Sequence, residues 1–149
     1  MTQNAVDSVK ESDIPNLVEV WEASVRATHH FLTDADIAVF RPLVRDHLFG
    51  FLNMACVRDA DGKVAAFIGV AQHKIEALFV QPKFFGLGIG RQLVKYAIDQ
   101  WQVTDVDVNE QNDQAVGFYQ KLGFQVCGRS ETDGLGKPFP LLHLSLSPQ

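Results

Sequence analysis

The run FFGLGIGRQL places glycines at every second position, Gly86, Gly88 and Gly90, between an apolar stretch and a helical pattern. A strand, a glycine-rich turn and a helix N-terminus together make an anion site. Amides left unpaired in the first helical turn, backed by the positive end of the helix dipole, hold phosphate oxygens without any lysine. The spacing rules out two common phosphate loops. A dinucleotide fingerprint needs G-x-G-x-x-G, but the third position after Gly86 and Gly88 is Arg91. A Walker loop needs G-K-[ST], which IGRQ lacks. On the residues alone two readings stay open: a phosphate cradle, or glycines that only permit a tight strand-to-helix crossover.

Other reactive side chains are sparse. Glu76 is ionisable inside an otherwise apolar strand, where desolvation raises a carboxyl pKa toward a range useful for proton transfer. A solvated or salt-bridged carboxylate is the alternative for it. His73 falls on the opposite face of the same strand pattern, so the two do not readily serve one substrate group. His29 and His30 close the first helical pattern, where a histidine stabilises the C-terminal dipole. Cys56 and Cys127 stand alone, without CxxC spacing or histidines at ligand spacing, which argues against a disulfide framework and a zinc or other metal site. Both thiols are expected in the core.

The elements that must position these groups follow from periodicity and punctuation. AVDSVK (5–10) is a short strand candidate, and Ser12 or Asp13 ahead of Pro15 is a helix start, with Ile14, Leu17, Val18, Trp21 and Val25 at helical spacing. Thr33 and Asp36 resemble a capping box before Ile37, Phe40, Val44 and Leu48. FLNMACVR (51–58), the turn DADG and KVAAFIGVAQ (63–72) form a hairpin, and HKIEALFV (73–80) is a further strand stopped by Pro82. A helix from Gly88 to Trp101, a strand TDVDVN (104–109) and a helix capped by Asn112 and ended at Gly123 come next. FQVCGRSE and FPLLHLSL flank the turn-rich TDGLGKP as two late strands. The expectation is a mixed-sheet α/β (α+β) fold in the order β-α-α-β-β-β-α-β-α-β-β.

The whole chain bounds the chemistry. Its 149 residues, 46% hydrophobic, suit a single domain over 1–149 with a core of its own. Net charge is −5 and no basic run occurs, which disfavours nucleic acid and anionic membranes and suits a cationic substrate slightly better. The N-terminal residues lack a basic region followed by an apolar run, and no stretch approaches the ~20 apolar residues of a membrane span. A cytoplasmic location is expected.

Two segments, ALFVQPKFFGLGIGRQLV and VNEQNDQAVGFYQKLGF, together resemble the GNAT superfamily of acyl-CoA-dependent N-acyltransferases. The resemblance is specific over residues 73–124 and extends loosely over the whole chain through the element order. It implies acetyl-CoA as cosubstrate, no metal, and an amine as acceptor. The family's loop reads Arg or Gln, two residues, Gly, one residue, then Gly or Ala. Gly88 and Gly90 match, while Phe85 replaces the leading polar residue, with Arg91 or Lys83 available to help. The resemblance further implies that Leu78, Phe79 and Val80 lie where the fourth strand parts from its neighbour and offers its backbone to the acyl carbonyl and pantetheine arm. Gly86, Leu87, Gly88, Ile89, Gly90 and Arg91 would take the pyrophosphate, Asn112 would meet the pantetheine arm, and Tyr119 would face the cofactor sulfur and protonate the leaving thiolate. Glu76 is the candidate base.

The expected function is an N-acetyltransferase that acts by direct attack of a primary amine, on a small molecule or on a peptide or protein, in a ternary complex. Two rivals are a non-catalytic acyl-CoA-binding sensor and an interaction domain without affinity for CoA. RATHHFLTD and SETDGLGKPFP are expected to line the acceptor side, where Phe31 and Phe139 with Asp34, Glu131 and Asp133 could receive an apolar cation or could be core and solvated surface. A homodimer through the last strands is a further possible partner arrangement.

Overall fold

Helix α1 (Ile14–Thr28) buries Leu17, Val20, Trp21, Ser24 and Val25, a stripe at intervals of three and four. Leu17 and Val20 are wholly excluded from solvent, and full burial of such a side chain contributes roughly 1.5–3 kcal/mol. The expected cap at its start is replaced by a 3-10 turn, Glu11–Asp13, ahead of the helix. Asp13 is itself helical and makes no side-chain cap bond to α1. Its carboxylate instead accepts from the Lys10 amide (2.8 Å) and from both terminal nitrogens of Arg58, at 3.0 and 2.9 Å. A charged partner from a distant strand thus shares these oxygens with the Lys10 amide, and none of the bonds goes to α1. At α2 (Asp34–Leu48) the capping box forms as expected: Asp36 N–H donates to Thr33 Oγ1 and Thr33 N–H to Asp36 Oδ2.

The computed structural model describes residues 5–48, 53–134 and 136–146. Its strands are β1 (Val6–Ser8), β2 (Asn53–Arg58), β3 (Val64–Ala71), β4 (Lys74–Val80), β5 (Asp105–Asn109), β6 (Phe124–Ser130) and β7 (Leu141–Leu146). Residues 51 and 52 of the expected second strand lie outside the described residues. With α3 (Ile89–Trp101) and α4 (Asp113–Lys121), the element order is the expected one, with two added 3-10 turns. The strands form one seven-stranded sheet ordered β1-β2-β3-β4-β5-β7-β6, antiparallel except for β4 with β5. One apolar cluster lies against α3 and α4 and contains Ile68, Leu93, Val94, Val106 and Phe124. The other lies against α1 and α2 and contains Leu17, Trp21, Phe67 and Ala77.

Two features of β4 shape the site. Gly69 pairs with Ala77 and Val70 with Ile75, so Glu76 is the extra residue of a bulge. The parallel pairing of β4 with β5 runs only through Lys74–Asp105 and Ile75–Val106. Beyond Ile75 the two strands part, and β5 continues against β7 alone.

Two further expectations need correction. His73 is not on the strand but in a two-residue turn with Gln72, both at positive φ (67° and 52°). Its carbonyl accepts from the amides of Thr104 (2.8 Å) and Asp105 (3.2 Å), and Nδ1 lies 3.1 Å from the Gln102 carbonyl. These bonds offset the roughly 1–2 kcal/mol that a non-glycine residue loses there. Cys127 is exposed, unlike the buried Cys56. It sits in the bulge of edge strand β6, where the register shifts between Val126 and Gly128. No helix among the described residues is long and apolar enough to cross a membrane.

Candidate active site

Where β4 and β5 part, a cavity of about 650 Å³ opens between the end of α1, the glycine loop and α4. Leu78, Phe79, Val80, Gly86, Gly88, Ile89, Gly90, Arg91, Asn112 and Tyr119 all line it. Leu87 and Glu76 do not. Leu87 is half exposed.

The loop has the conformation that its glycines allow. After Val80, Pro82–Phe84 form a 3-10 turn, and the Phe85 amide still bonds the Pro82 carbonyl at 3.1 Å. Gly86 and Gly88 then take φ of 78° and 82°, a region costly for any residue with a Cβ. Gly88 is the residue before α3, and the first intrahelical bond runs from the Gln92 amide to its carbonyl at 3.0 Å. The amides of Ile89, Gly90 and Arg91 therefore have no intrahelical acceptor and lie at the positive end of the helix. Gly90 serves packing instead: a Cβ there would lie 3.4 Å from Phe118 Cζ and 3.8 Å from Val80 Cγ2. Phe85 is 42% exposed on the cavity rim and supplies no donor. Lys83 lies over the Phe84 ring, 5.3 Å from its centroid, which leaves Arg91 as the lining cation. The groups of this loop able to stabilise an anion are main-chain amides and one guanidinium.

Tyr119 lines the same cavity, 6% exposed, its ring edge-on to Phe118 (5.0 Å) and Phe124 (5.6 Å). Burial holds its phenol above the ordinary value, so it remains protonated at neutral pH. Asn112 is buried, and its Oδ1 accepts from the Ala115 amide at 3.1 Å. That bond is the helix cap expected of it.

Glu76 lines a second cavity, also about 650 Å³, between α2 and β4, together with Trp21, Phe40, Asp46 and His47. The two cavities share Phe79. Glu76 is exposed rather than desolvated, because the bulge turns it off the packed face. Of the expected acceptor-side residues, Phe31 and Phe139 pack with tilted rings, centroids 5.6 Å apart. Asp34 pairs with Arg26 (2.6 Å) and Glu131 with Arg129 (3.0 Å), so these carboxylates are surface ion pairs.

His29 overturns the expectation of a charged histidine at a helix end. It lines the first cavity, and burial, with His30 beside it, lowers its pKa to about 4. A neutral ring adds no positive charge to the α1 terminus. Sequence periodicity ends at Val25 and does not place His29, although RATHHFLTD, the stretch expected to line the acceptor side, contains it. Among the described residues no group of three or more His, Cys, Asp or Glu side chains is placed to hold a metal ion.

Comparison with known proteins agrees with this geometry. A family model described as an acetyltransferase (GNAT) domain matches residues 48–126. A Salmonella typhimurium protein named peptidyl-lysine N-acetyltransferase YjaB is 46% identical over 128 residues, 86% of this chain and 88% of that one. The solution structure of apo YjaB from Escherichia coli superposes with a TM-score of 0.88 over the full length of both chains, at 36% identity. The PaiA N-acetyltransferase of Thermoplasma acidophilum, solved with coenzyme A, shares the fold with a TM-score of 0.75 at 20% identity, covering 99% of this chain and 100% of that one. A glycine cradle, a parted sheet and these matches have one common reading: the chain belongs to the GNAT acetyltransferase family.

Proposed function

We propose that this N-acetyltransferase moves the acetyl group of acetyl-CoA to the ε-amine of a lysine in a peptide or protein. The observation that carries the reading is the free edge of β4 beyond Ile75, opening on a cavity lined by both an amide cradle and a protonated phenol. The acceptor class rests on the name of the 46% identical Salmonella relative.

In this reading the main-chain groups of Leu78, Phe79 and Val80 take the pantetheine arm and the acyl carbonyl as an added strand would be taken. Gly86 through Arg91 hold the pyrophosphate by backbone amides, with the Arg91 guanidinium at the rim. Asn112 reaches the pantetheine arm with its side-chain amide while its Oδ1 caps α4. The amine attacks the carbonyl carbon directly, the C–S bond breaks, and Tyr119 gives its proton to the departing sulfur. Glu76 acts on the acceptor side: its carboxylate in the adjoining cavity draws the lysine ammonium and takes its proton. Asp46 on the same wall adds to that field.

Thiol release from acetyl-CoA, with mass spectrometry of a panel of lysine peptides, free lysine and small amines, tests the reading. Acetyl on peptide lysines is the expected result. Turnover confined to small amines would sink the acceptor class.

A further inference from the structure

The hydrogen bonds at the end of α1 determine which nitrogen of His29 carries its proton. Thr28 Oγ1 lies 2.8 Å from the Ser24 carbonyl oxygen and 2.8 Å from His29 Nδ1. The hydroxyl has one proton, and a carbonyl oxygen cannot donate. Both contacts are hydrogen bonds only if Thr28 donates to Ser24 and the ring donates from Nδ1–H to Thr28. This back-bond to the carbonyl four residues earlier is a habitual arrangement for a helical threonine. In the neutral ring the proton is thereby on Nδ1 and the lone pair on Nε2. No other hydrogen bond to the His29 ring forms among the described residues.

The ring is also held in place. Phe31 packs against it with centroids 5.4 Å apart, and Phe31 is backed in turn by Phe139 at 5.6 Å. Phe139 continues to Phe40 at 6.3 Å, and Phe40 lines the second cavity. This aromatic row runs from the wall of the first cavity to that of the second. His29 is its first member and shares the first cavity with Leu78, Phe79 and Tyr119.

We propose that His29 is a further catalytic residue, whose Nε2 accepts a hydrogen bond from the attacking amine and turns the nitrogen lone pair toward the thioester carbonyl. The inference rests on the acetyl-transfer reading above. As the new N–C bond forms and the C–S bond breaks, the sulfur is protonated and the amine gives up one proton to water in the crevice. The depressed basicity of His29 suits an acceptor that orients the amine and does not retain its proton. A fixed, desolvated acceptor is pre-organised for this task and costs no rearrangement when the amine arrives. Thr28 is a positioning residue that acts through the tautomer.

The test uses the full chain with ¹⁵N-labelled histidine and a long-range proton–nitrogen correlation spectrum at neutral pH. Nδ1 of His29 is expected as the protonated nitrogen and Nε2 as the unprotonated one, and Thr28→Val should redistribute the proton between them. In steady-state assays with a lysine peptide, His29→Phe keeps an aromatic ring against Phe31 and removes the acceptor. Turnover should fall about 10- to 100-fold with the KM for acetyl-CoA within about twofold, because the lost bond is made to the amine alone. His29→Gln, whose amide oxygen can accept, should recover part of that loss. Nε2–H as the dominant wild-type tautomer, or an unchanged rate in His29→Phe, would overturn the proposal. If the wild-type chain acetylates no lysine peptide, the acceptor class fails, and the nitrogen spectrum still decides for or against His29.

Discussion

The ring of Tyr119 stands edge-on to that of Phe124, centroids 5.6 Å apart and planes at 79°, which ties the wall of the cavity to the core of the sheet. Packing and chemistry thus meet in one side chain, and a single oxygen separates them. Tyr119→Phe should keep both edge contacts and shift the melting temperature by no more than about 2 °C. Turnover should fall by about 10²-fold or more if the phenol protonates the departing sulfur. Thermal melts and thiol-release kinetics on the same preparation check this, and an undiminished kcat would remove the acid role.

Gly88 has φ of 82° directly before α3. Gly88→Ala should cost about 1–2 kcal/mol of stability from backbone strain. It should also weaken CoA binding by about tenfold or more, since the amides of the next three residues are aimed by that conformation. Calorimetric titration with CoA, read beside a urea melt, separates the two effects. An unaltered dissociation constant would move the diphosphate elsewhere.

His29 makes stability depend on pH in a stated direction. Its folded pKa, about 4, lies below the ordinary 6.5 because of burial first and His30 second. The unfolded chain therefore binds the proton more readily, and the stability associated with a neutral His29 is complete above about pH 6.5. It is lost as pH falls from there toward 4, up to about 3 kcal/mol. Urea melts at pH 7.5, 6 and 4.5 should show this slope, and His29→Phe should flatten it.

Arg58 joins three segments. It donates to Asp13 and to Asp7 (2.7 Å), and also to the carbonyl oxygens of Ser8 (3.1 Å) and Gly62 (3.3 Å). Hydrogen bonds from Arg58 hold the carboxyl of Asp13 below its ordinary value, and burial opposes that only in part. With a folded pKa below 3.8, the contribution of Asp13 is present above that value and is lost as pH falls beneath it. Arg58→Ala should lower stability by about 1–3 kcal/mol at neutral pH and flatten the acid limb below about pH 4. Equal acid limbs in the two proteins would contradict the pairing.

Much of the fold was legible because it is encoded by near neighbours. The Thr33–Asp36 box, the Asn112 cap and the glycines at positive φ each involve residues within a few positions of one another. A local pattern predicts a local bond. Asp13 shows where this fails: its position suits a helix cap, but Arg58, 45 residues away, binds its carboxylate. His73 and Cys127 fail for related reasons. A turn stabilised by Thr104 and a bulge on an edge strand have no signature in the residues beside them.

Local chemistry in the chain already specified the element order, the helix faces and a loop that only glycine can form, since propensity and capping act over a turn or two. The parting of β4 from β5, the bulge that exposes Glu76 and the meeting of His29 with the wall that holds Tyr119 arise from segments far apart in the chain. Those placements depend on how strands pair and how rings pack across the sheet. Pairing and burial are energies of the assembled fold, and no window of neighbouring residues contains them.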